Sequence, residues 1–316
     1  MAIQWFPGHM HLTRQAIAER VKSIDVVIEL LDARLPGSSS NPLLTELAGH
    51  KPTLKVLNKQ DLADPARTQA WLAWYGAQAE TRAIALDASE RAPARRLIDA
   101  CRQLAPLRRG LSRPMRVLIV GVPNVGKSTL INTLSRKSQA KTGDEAGVTR
   151  QEQRIVLDDD FYLWDTPGML WPRIIVPESG MRLAASGAVG RNAYDEQEVA
   201  LDLLAYLKVC YSNQLAARYQ LVQTAPEIKA MHDDEWLEHI ARRRGALIAG
   251  GKLDWQKAAE IVLTDFRSAA IGRLTLETPE EYAVWLAAGQ ARDAEREKRL
   301  QERKRVRASK GRGTAM

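Results

Sequence analysis

The segment that most restricts the fold of this chain is residues 121–128, which read G-V-P-N-V-G-K-S. An apolar run over 115–120 predicts a buried strand before it, and residues 129–134 have the composition of a helix after it. The segment matches G-x-x-x-x-G-K-[ST] in the strand–loop–helix setting that this motif requires. In such a loop the main-chain N–H groups surround phosphates, Lys127 neutralises charge and Ser128 binds Mg²⁺. A nucleoside triphosphate is therefore expected, and the alternative is a glycine-containing turn that matches by chance.

The residues before this phosphate loop (residues 121–128) predict an α/β fold. Apolar runs predict strands over 24–31, 53–57 and 82–86, and helical patterns are found over 10–22, 42–48, 65–75 and 91–104. This alternation indicates a parallel sheet with helices on its faces. Residues 154–157 and 161–164 predict a hairpin. Its acidic tip, residues 158–160, is expected to be a solvated turn rather than a metal site.

The second predicted strand ends in Asn58, Lys59, Gln60 and Asp61, an N-K-x-D sequence that we call the guanine loop (residues 58–61). A carboxylate at the carboxyl end of a strand can accept hydrogen bonds from N1 and N2 of guanine, and adenine lacks this pair of donors. Four polar residues after a strand are usually an ordinary loop. Together with a phosphate loop, however, they predict selection of a guanine nucleotide.

Residues after the phosphate loop predict contacts with the γ-phosphate and its metal ion. Residues 141–150 are polar and contain glycine, as mobile loops do, and Thr149 is the candidate for completing Mg²⁺ coordination. The alternative for Thr149 is a surface turn. Further on, D-T-P-G at 165–168 offers Asp165 to hold Mg²⁺ through water and the Gly168 N–H to contact the γ-phosphate.

The order of these motifs is rearranged relative to ordinary Ras-like proteins, in which the phosphate loop comes first and N-K-x-D near the end. Here the guanine loop comes first, which indicates a circular permutation. Spatial assembly of a site does not depend on chain order if the termini and connections are moved at the surface. The segment that senses the γ-phosphate then leads, through residues 171–173, directly into the C-terminal half.

With this order, the chain resembles the circularly permuted, ribosome-associated GTPases, and most closely the ribosome biogenesis GTPase A family. The motifs that carry the resemblance are Q-W-F-P-G-H-M at 4–10, D-A-R at 32–34, N-P at 41–42, N-K-Q-D at 58–61, the phosphate loop, D-T-P-G at 165–168 and L-W-P at 170–172. The similarity is close over the GTPase part, thinner to about residue 275 and absent from the tail.

The resemblance implies roles that the residues alone do not establish. It implies that Asn124 helps to bind K⁺ near the β- and γ-phosphates, and that His9 positions the attacking water. A single histidine is more often structural, so its catalytic role is a hypothesis. Ala88 occupies a position where related proteins contact the guanine oxygen through a main-chain N–H, although Asp87 replaces the usual serine before it. Ras uses glutamine where this chain has Met169, and a thioether cannot orient water.

The predicted site thus has three groups of residues. The predicted catalytic residue is His9. The predicted GTP-binding residues are Asn58, Lys59, Asp61, Ala88, Asn124, Val125, Gly126, Lys127, Ser128, Thr129, Thr149 and Gly168. The predicted metal ligands are Ser128, Thr149 and, through water, Asp165 for Mg²⁺, with Asn124 for K⁺.

The C-terminal half is predicted to be helical, with patterns over 195–209, 213–221, 233–244 and 253–268. Arginines at 242–244, 267 and 273 either line an RNA-facing surface or form a solvated face. From Arg303 onward the tail has basic residues and no acidic ones, so we expect it to be disordered when free and to bind RNA phosphates. The expected domains are a GTPase domain over 1–180, a helical RNA- or ribosome-binding domain over 181–290 and a basic tail over 291–316.

Composition limits the remaining classes of protein. The formal net charge of +8 favours an anionic partner, either RNA or an acidic membrane surface. Two distant cysteines give neither a disulfide framework nor a zinc site, and no apolar run is long enough to span a membrane. We therefore expect a cytoplasmic GTPase, monomeric off the ribosome, that assists assembly of the large ribosomal subunit by binding its rRNA. The alternative is a nucleotide-gated RNA-binding scaffold with negligible intrinsic hydrolysis.

Overall fold

A computed structural model of the chain describes residues 3–108, 110–135, 153–221 and 225–312. The side chains of His9, Ala225 and residues 304–312 lie outside the description. Six strands form one sheet: β1 (Val26–Asp32), β2 (Thr53–Asn58), β3 (Thr81–Ala85), β4 (Met115–Gly121), β5 (Gln153–Asp158) and β6 (Phe161–Asp165). Their order is β3-β2-β1-β4-β6-β5. Every neighbouring pair is parallel except β5 with β6, which confirms the mostly parallel α/β sheet.

Five helices accompany the first four strands and the phosphate loop: α1 (Gly8–Val21), α2 (Pro42–Ala48), α3 (Pro65–Gly76), α4 (Arg91–Leu104) and α5 (Lys127–Ser135). The central strand β1 is buried along its whole length, as expected for a parallel strand covered on both faces. On α1, Thr13, Ile17 and Val21 are buried, so the predicted i, i+4 face is the one that packs. Asp64 caps the start of α3 by accepting hydrogen bonds from Ala66 and Arg67.

The C-terminal half is helical, which confirms the expectation. Its helices are α6 (Pro177–Ser186), α7 (Glu196–Cys210), α8 (Ser212–Tyr219), α9 (Ala225–Ala230), α10 (Asp233–Arg244), α11 (Trp255–Arg267) and α12 (Pro279–Arg312). Helices α7, α10 and α11 pack together, and α6 packs against α7 and α11. Leu204, Trp236 and Val262 are fully or almost fully buried among them. Among the described helices, none is long and apolar enough to cross a membrane.

The segment between α11 and α12 returns to the sheet domain. The Leu276 N–H donates to the Arg34 carbonyl oxygen at 2.7 Å, and the Thr275 hydroxyl donates to the Ala33 carbonyl oxygen at 3.1 Å. Glu277 is completely buried, and one of its carboxylate oxygens accepts the Ser38 N–H at 2.8 Å. Residues 274–277 are therefore part of the packing around the end of β1, inside the range expected to form a separate helical domain.

The described part of the segment expected to be disordered, residues 303–312, is instead the end of α12, which continues to Arg312. Residues 290–310 contain neither glycine nor proline and are rich in Ala, Glu, Lys, Arg and Gln, which favour helix. An Arg299–Glu295 pair at i, i+4 spacing adds to this preference. Strong helix propensity thus outweighs the unbalanced charge that suggested disorder.

Candidate functional site

The motifs that sequence reasoning placed together meet at one edge of the sheet. Asp32 at the end of β1 lies opposite Asn58 at the end of β2. On the other side of β1, Leu30 lies opposite Gly121 at the end of β4. Asp165 of β6 in turn lies beside β4. Ligands of open α/β sheets bind at the carboxyl ends of strands, and this edge is therefore the candidate site.

The phosphate loop joins β4 to α5 through two left-handed residues, Asn124 with φ 57° and Gly126 with φ 99°. A Cβ on Gly121 would lie only 2.6 Å from the Leu30 carbonyl oxygen, so this position requires glycine. Ser128 and Thr129 follow Lys127 in the first turn of α5, where free N–H groups favour an anion. The loop has the geometry that its motif predicts.

Lys127 is almost buried, and its ammonium lies 3.3 Å from the Gly121 carbonyl oxygen and 3.5 Å from that of Val122. Burial lowers the pKa of Lys127, although the nearby charge of Asp165 acts in the opposite direction. Main-chain oxygens give only partial compensation for a buried cation. A phosphate group near this ammonium would remove the imbalance.

Asn58 connects the two loops. Its amide N–H donates to the Val125 carbonyl oxygen at 2.8 Å, and its oxygen accepts the Ala88 N–H at 2.9 Å. A Cβ on Gly126 would collide with the Asn58 amide. Ala88 is therefore beside the site, but its N–H is engaged with Asn58 in this structure. Its predicted contact with guanine stays a prediction.

Lys59 joins the same arrangement from a left-handed conformation, with φ 62°. Its ammonium donates to the Asn124 carbonyl oxygen and to Asp32, both at 2.9 Å. Arg34 holds Asp32 with two parallel hydrogen bonds of 2.9 and 2.7 Å. Burial alone would raise the pKa of Asp32, but the charges and hydrogen bonds of Arg34 and Lys59 outweigh it and hold that pKa well below its usual range. Asp32 therefore stays ionised and fixes Lys59.

In the sequence, the Asp32–Arg34 pair is only part of the motifs that carry the family resemblance. Its signal is a charged pair at the end of a mostly apolar strand. The structure shows why the pair matters locally, because it anchors the lysine of the guanine loop. Asp61, predicted to accept guanine N1 and N2, is exposed at the end of that loop.

Two of the arginines expected either to line an RNA-facing surface or to form a solvated face donate hydrogen bonds to main-chain oxygens of the protein. Arg267 donates to the Ala185 and Ala184 carbonyl oxygens at 2.8 and 3.0 Å. Arg273 donates to the carbonyl oxygens of Ala63 and Gln60 at 2.9 and 2.8 Å. Both contacts join segments far apart in the sequence. The remaining part of that prediction, residues 242–244, is exposed.

Asp165 has the properties of a metal-site carboxylate. It is 1% exposed, and its Oδ1 atom has no hydrogen-bond partner among the described residues. Burial raises the pKa of Asp165 to about 6, against the opposing effects of the Lys127 charge and the Thr166 N–H. Carboxylate and hydroxyl oxygens, here Asp165 and the half-buried Ser128, are donors that suit Mg²⁺. The residues therefore fit the predicted ion.

Of the other predicted site residues, the structure describes the surroundings of some but not of all. A Cβ on Gly168 would lie 2.8 Å from Pro123 Cα and 3.3 Å from the Lys127 ammonium, so Gly168 directly adjoins the phosphate loop. Asn124 donates its side-chain N–H to the Gly187 carbonyl oxygen at 2.8 Å, which turns the amide toward the end of α6. Thr149 lies outside the described residues, as does the side chain of His9, the second residue of α1.

Met169, at the position of the Ras glutamine, serves packing. Its side chain is 1% exposed in the core. Its N–H donates to the Gly121 carbonyl oxygen at 3.1 Å, and its own carbonyl oxygen accepts the Asn41 side-chain N–H at 3.0 Å. Met169 therefore holds the segment after Gly168 against the phosphate loop.

Comparison with known proteins agrees with this site. A family model described as a 50S ribosome-binding GTPase matches residues 116–232. Ribosome biogenesis GTPase A of Bacillus cereus is 42% identical over 289 residues, which cover 89% of this chain and 96% of the relative. The chain belongs to the ribosome biogenesis GTPase A family. As a member of this family it is a GTPase, which hydrolyses GTP to GDP and phosphate.

Further relatives extend the comparison. The same-named GTPase of Priestia megaterium is 41% identical, covering 89% of this chain and 98% of the relative. Mitochondrial ribosome-associated GTPase 1 of Mus musculus is 33% identical, covering 87% and 90%. A solved GDP-bound structure of YlqF superposes with a TM-score of 0.61 at 27% identity, covering 84% of this chain and 99% of that one. The permuted order of motifs is therefore that of a ribosome biogenesis GTPase A.

Proposed function

We propose that this GTPase acts in maturation of the large ribosomal subunit, and that the bound nucleotide controls its affinity for the subunit and its rRNA. Support comes from the family and from the description of the matching model as 50S ribosome-binding. The net charge of +8 suits an RNA partner. Such a protein works in the cytoplasm, as a monomer when it is off the ribosome.

One observation carries the nucleotide-controlled part of this proposal. The segment that leads from the γ-phosphate motif into the helical half touches the phosphate loop at both of its ends. At the start, the Met169 N–H bonds the Gly121 carbonyl oxygen, and at the end the Gly187 carbonyl oxygen accepts the Asn124 amide. A ligand that moves the phosphate loop must therefore strain or shift this segment, which includes α6.

The site residues take the following roles in this proposal. Lys127 neutralises phosphate charge, and the N–H groups of residues 125–129 and Gly168 bind phosphate oxygens. Asn58, Lys59 and Asp61 select guanine, with Ala88 beside the base. Ser128, Thr149 and, through water, Asp165 would hold Mg²⁺, which would shield the charge of the phosphate oxygens. His9 positions the attacking water, and Asn124 helps to bind K⁺.

GTP turnover with and without purified large ribosomal subunits tests the proposal, in K⁺ and in Na⁺ buffers. We expect large subunits to stimulate turnover, K⁺ to exceed Na⁺, and small subunits to have no effect. His9→Ala should lose the stimulated rate while still binding GTP. A wild-type rate for His9→Ala with large subunits present would remove His9 from the mechanism.

Buried Met169 favours a second function, a nucleotide-gated RNA-binding scaffold with negligible intrinsic hydrolysis, because the water-orienting glutamine of Ras is missing. The same assay separates the two functions. A scaffold would bind large subunits more tightly with a GTP analogue than with GDP, and added subunits would not raise its slow intrinsic turnover.

A further inference from the structure

Residues of the helical half donate hydrogen bonds to main-chain carbonyl groups of the guanine loop and of the residues just after it. Arg273, in the segment after α11, donates one hydrogen bond to the Gln60 carbonyl oxygen at 2.8 Å and another to that of Ala63 at 2.9 Å. The next residue, Leu274, donates its N–H to the Leu62 carbonyl oxygen at 3.0 Å. Three carbonyl groups in or directly after the guanine loop thus accept hydrogen bonds from residues more than two hundred positions away.

A second arginine, in the sheet domain, donates hydrogen bonds to the helical half. Arg34, which is 2% exposed, donates to the Phe266 and Arg267 carbonyl oxygens at the end of α11, at 3.4 and 3.2 Å. The same guanidinium holds Asp32, which holds the Lys59 ammonium. The end of α11 is therefore connected to Lys59 by a continuous series of charge-assisted contacts.

The guanine loop needs such support because its own backbone is unfavourable. Lys59 adopts φ 62°, which a non-glycine residue adopts at an energetic cost. Inside the loop and its surroundings, the described main-chain bonds include Leu62 N–H to the Lys59 carbonyl oxygen at 3.0 Å and Gln60 N–H to that of Leu86 at 3.3 Å. The Gln60 carbonyl oxygen also accepts the Ala63 N–H at 3.3 Å. The added hydrogen bonds from Arg273 to the carbonyl groups of Gln60 and Ala63 favour this one conformation over relaxed alternatives.

We propose that Arg273 and Arg34 are positioning residues that couple the guanine loop to the end of α11, so that guanine-nucleotide binding and the order of residues 266–273 reinforce each other. Neither arginine touches the nucleotide in this proposal. By thermodynamic linkage, whatever strengthens docking of the α11 end raises nucleotide affinity, and nucleotide stabilises the docking by the same factor. The inference rests on the assignment of residues 58–61 to guanine in the proposed function.

Arg273→Met is the decisive variant because Arg273 is exposed and its loss leaves no buried charge. Arg34→Lys is the second variant, since a lysine keeps the charge but cannot hold Asp32 with a fork and reach two carbonyl oxygens. Arg95→Met, on the exposed side of α4, is the matched control. Affinity for a fluorescent GDP is measured without ribosomes, with a fluorescent xanthosine diphosphate as the comparison.

We expect Arg273→Met and Arg34→Lys each to weaken GDP binding by about tenfold, as for other coupled charged contacts, with Arg95→Met unchanged. Hydrogen exchange supplies a readout that a merely structural contact would not move. The N–H groups of Ser268, Ala270 and Gly272 are hydrogen-bonded at the end of α11, and GDP should slow their exchange in the wild type but not in the two variants.

Each outcome of these measurements either supports or overturns the inference. GDP affinity within twofold of wild type for a folded Arg273→Met protein overturns the inference, whatever Arg34→Lys does. So does equal GDP-dependent protection of residues 268–272 in wild type and variant. Wild-type protein that binds xanthosine and guanosine diphosphates equally well would instead overturn the guanine assignment, so the two failures are distinguishable.

Discussion

The side-chain N–H of Asn58 lies 2.8 Å from the main-chain oxygen of Val125, and so the guanine loop and the phosphate loop are bonded directly. The same side chain accepts the Ala88 N–H at 2.9 Å, and Asn58 is itself 2% exposed. One buried amide thus joins three segments that are far apart in the sequence. Its removal should disturb the empty site as well as nucleotide binding.

Asn58→Ala should destabilise the nucleotide-free protein by about 2–4 kcal/mol, because it leaves a carbonyl and an N–H buried without partners. GDP affinity should fall by tenfold or more, because the phosphate loop loses its support. Urea unfolding and titration with a fluorescent GDP measure the two effects. Gln78→Ala, at an exposed position after α3, is the control and should match wild type. A stability equal to wild type would show that Asn58 acts on the nucleotide alone.

Sequence reasoning located this site because its motifs end or follow strongly apolar strands. The strand run before Asn58 and the one before Gly121 made their shared edge of a parallel sheet predictable. The internal role of Asn58 was not predictable, because its partner is a carbonyl group 67 residues away. The hydrogen bonds of Arg273 to the Ala63 and Gln60 carbonyl oxygens are not predictable for the same reason, since a sequence does not show which main-chain oxygens lie near a side chain.

Gly168→Ala should perturb the phosphate loop. Its Cβ would lie 2.8 Å from Pro123 Cα and 2.9 Å from Pro123 N, and backbone atoms cannot move aside as a side chain can. We expect a loss of about 1–3 kcal/mol of stability and a larger loss of GTP turnover than of GDP affinity, because Gly168 adjoins the proposed position of the γ-phosphate. Differential scanning calorimetry and a phosphate-release assay measure these changes.

Gly76→Ala is the matched control for Gly168→Ala. A Cβ at Gly76, the last residue of α3, would meet nothing within 4 Å. Alanine is a better helix former than glycine, and so this variant should be neutral or more stable by up to about 1 kcal/mol. If Gly168→Ala behaved like Gly76→Ala, the contact with Pro123 would not constrain the loop.

The carboxyl group of Asp165 should make stability depend on pH. Burial raises its pKa to about 6, from an ordinary value of 3.8. The folded protein therefore prefers the neutral carboxyl, and this contribution to stability is complete below pH 3.8 and is lost as the pH rises through about 6. In EDTA and without nucleotide, the wild type should lose up to about 3 kcal/mol relative to Asp165→Asn over that window.

Urea unfolding of both proteins at several pH values measures this difference, with Asp159→Asn at the exposed hairpin tip as the control. Mg²⁺ should reverse the preference of the folded protein for the neutral Asp165 carboxyl, because a metal ion favours the ionised carboxylate. In the wild type, the gain in GTP affinity on adding Mg²⁺ should therefore increase as the pH rises through about 6. In Asp165→Asn this gain should be absent. A constant difference in stability between wild type and Asp165→Asn from pH 4 to pH 7 would contradict the raised pKa.

The helical half shows a different limit of sequence reasoning. The buried stripes of α7 and α11 were predictable from their periodicity, whereas α6 was not predicted. Arg182 of α6 is buried at 5% exposure and donates to the Leu276 carbonyl oxygen at 2.8 Å, so this helix contains a charged residue where a core position is expected to be apolar. The burial of α6 therefore depends on tertiary contacts rather than on an apolar pattern in its sequence.

Removal of the basic end of α12 should weaken binding to rRNA without changing GTP turnover in the absence of ribosomes. Six cations lie in this end: Arg303, Lys304, Arg305, Arg307, Lys310 and Arg312. Each phosphate contact releases counterions, so replacing all six with glutamine should reduce the slope of log affinity against log salt by up to about five.

A variant with residues 303–312 in scrambled order keeps the charge and should bind large subunits as wild type does, because phosphate contacts do not require a particular order. Binding to large subunits at several salt concentrations gives both the affinity and the slope, and an unchanged slope in the glutamine variant would exclude these cations from the RNA contact.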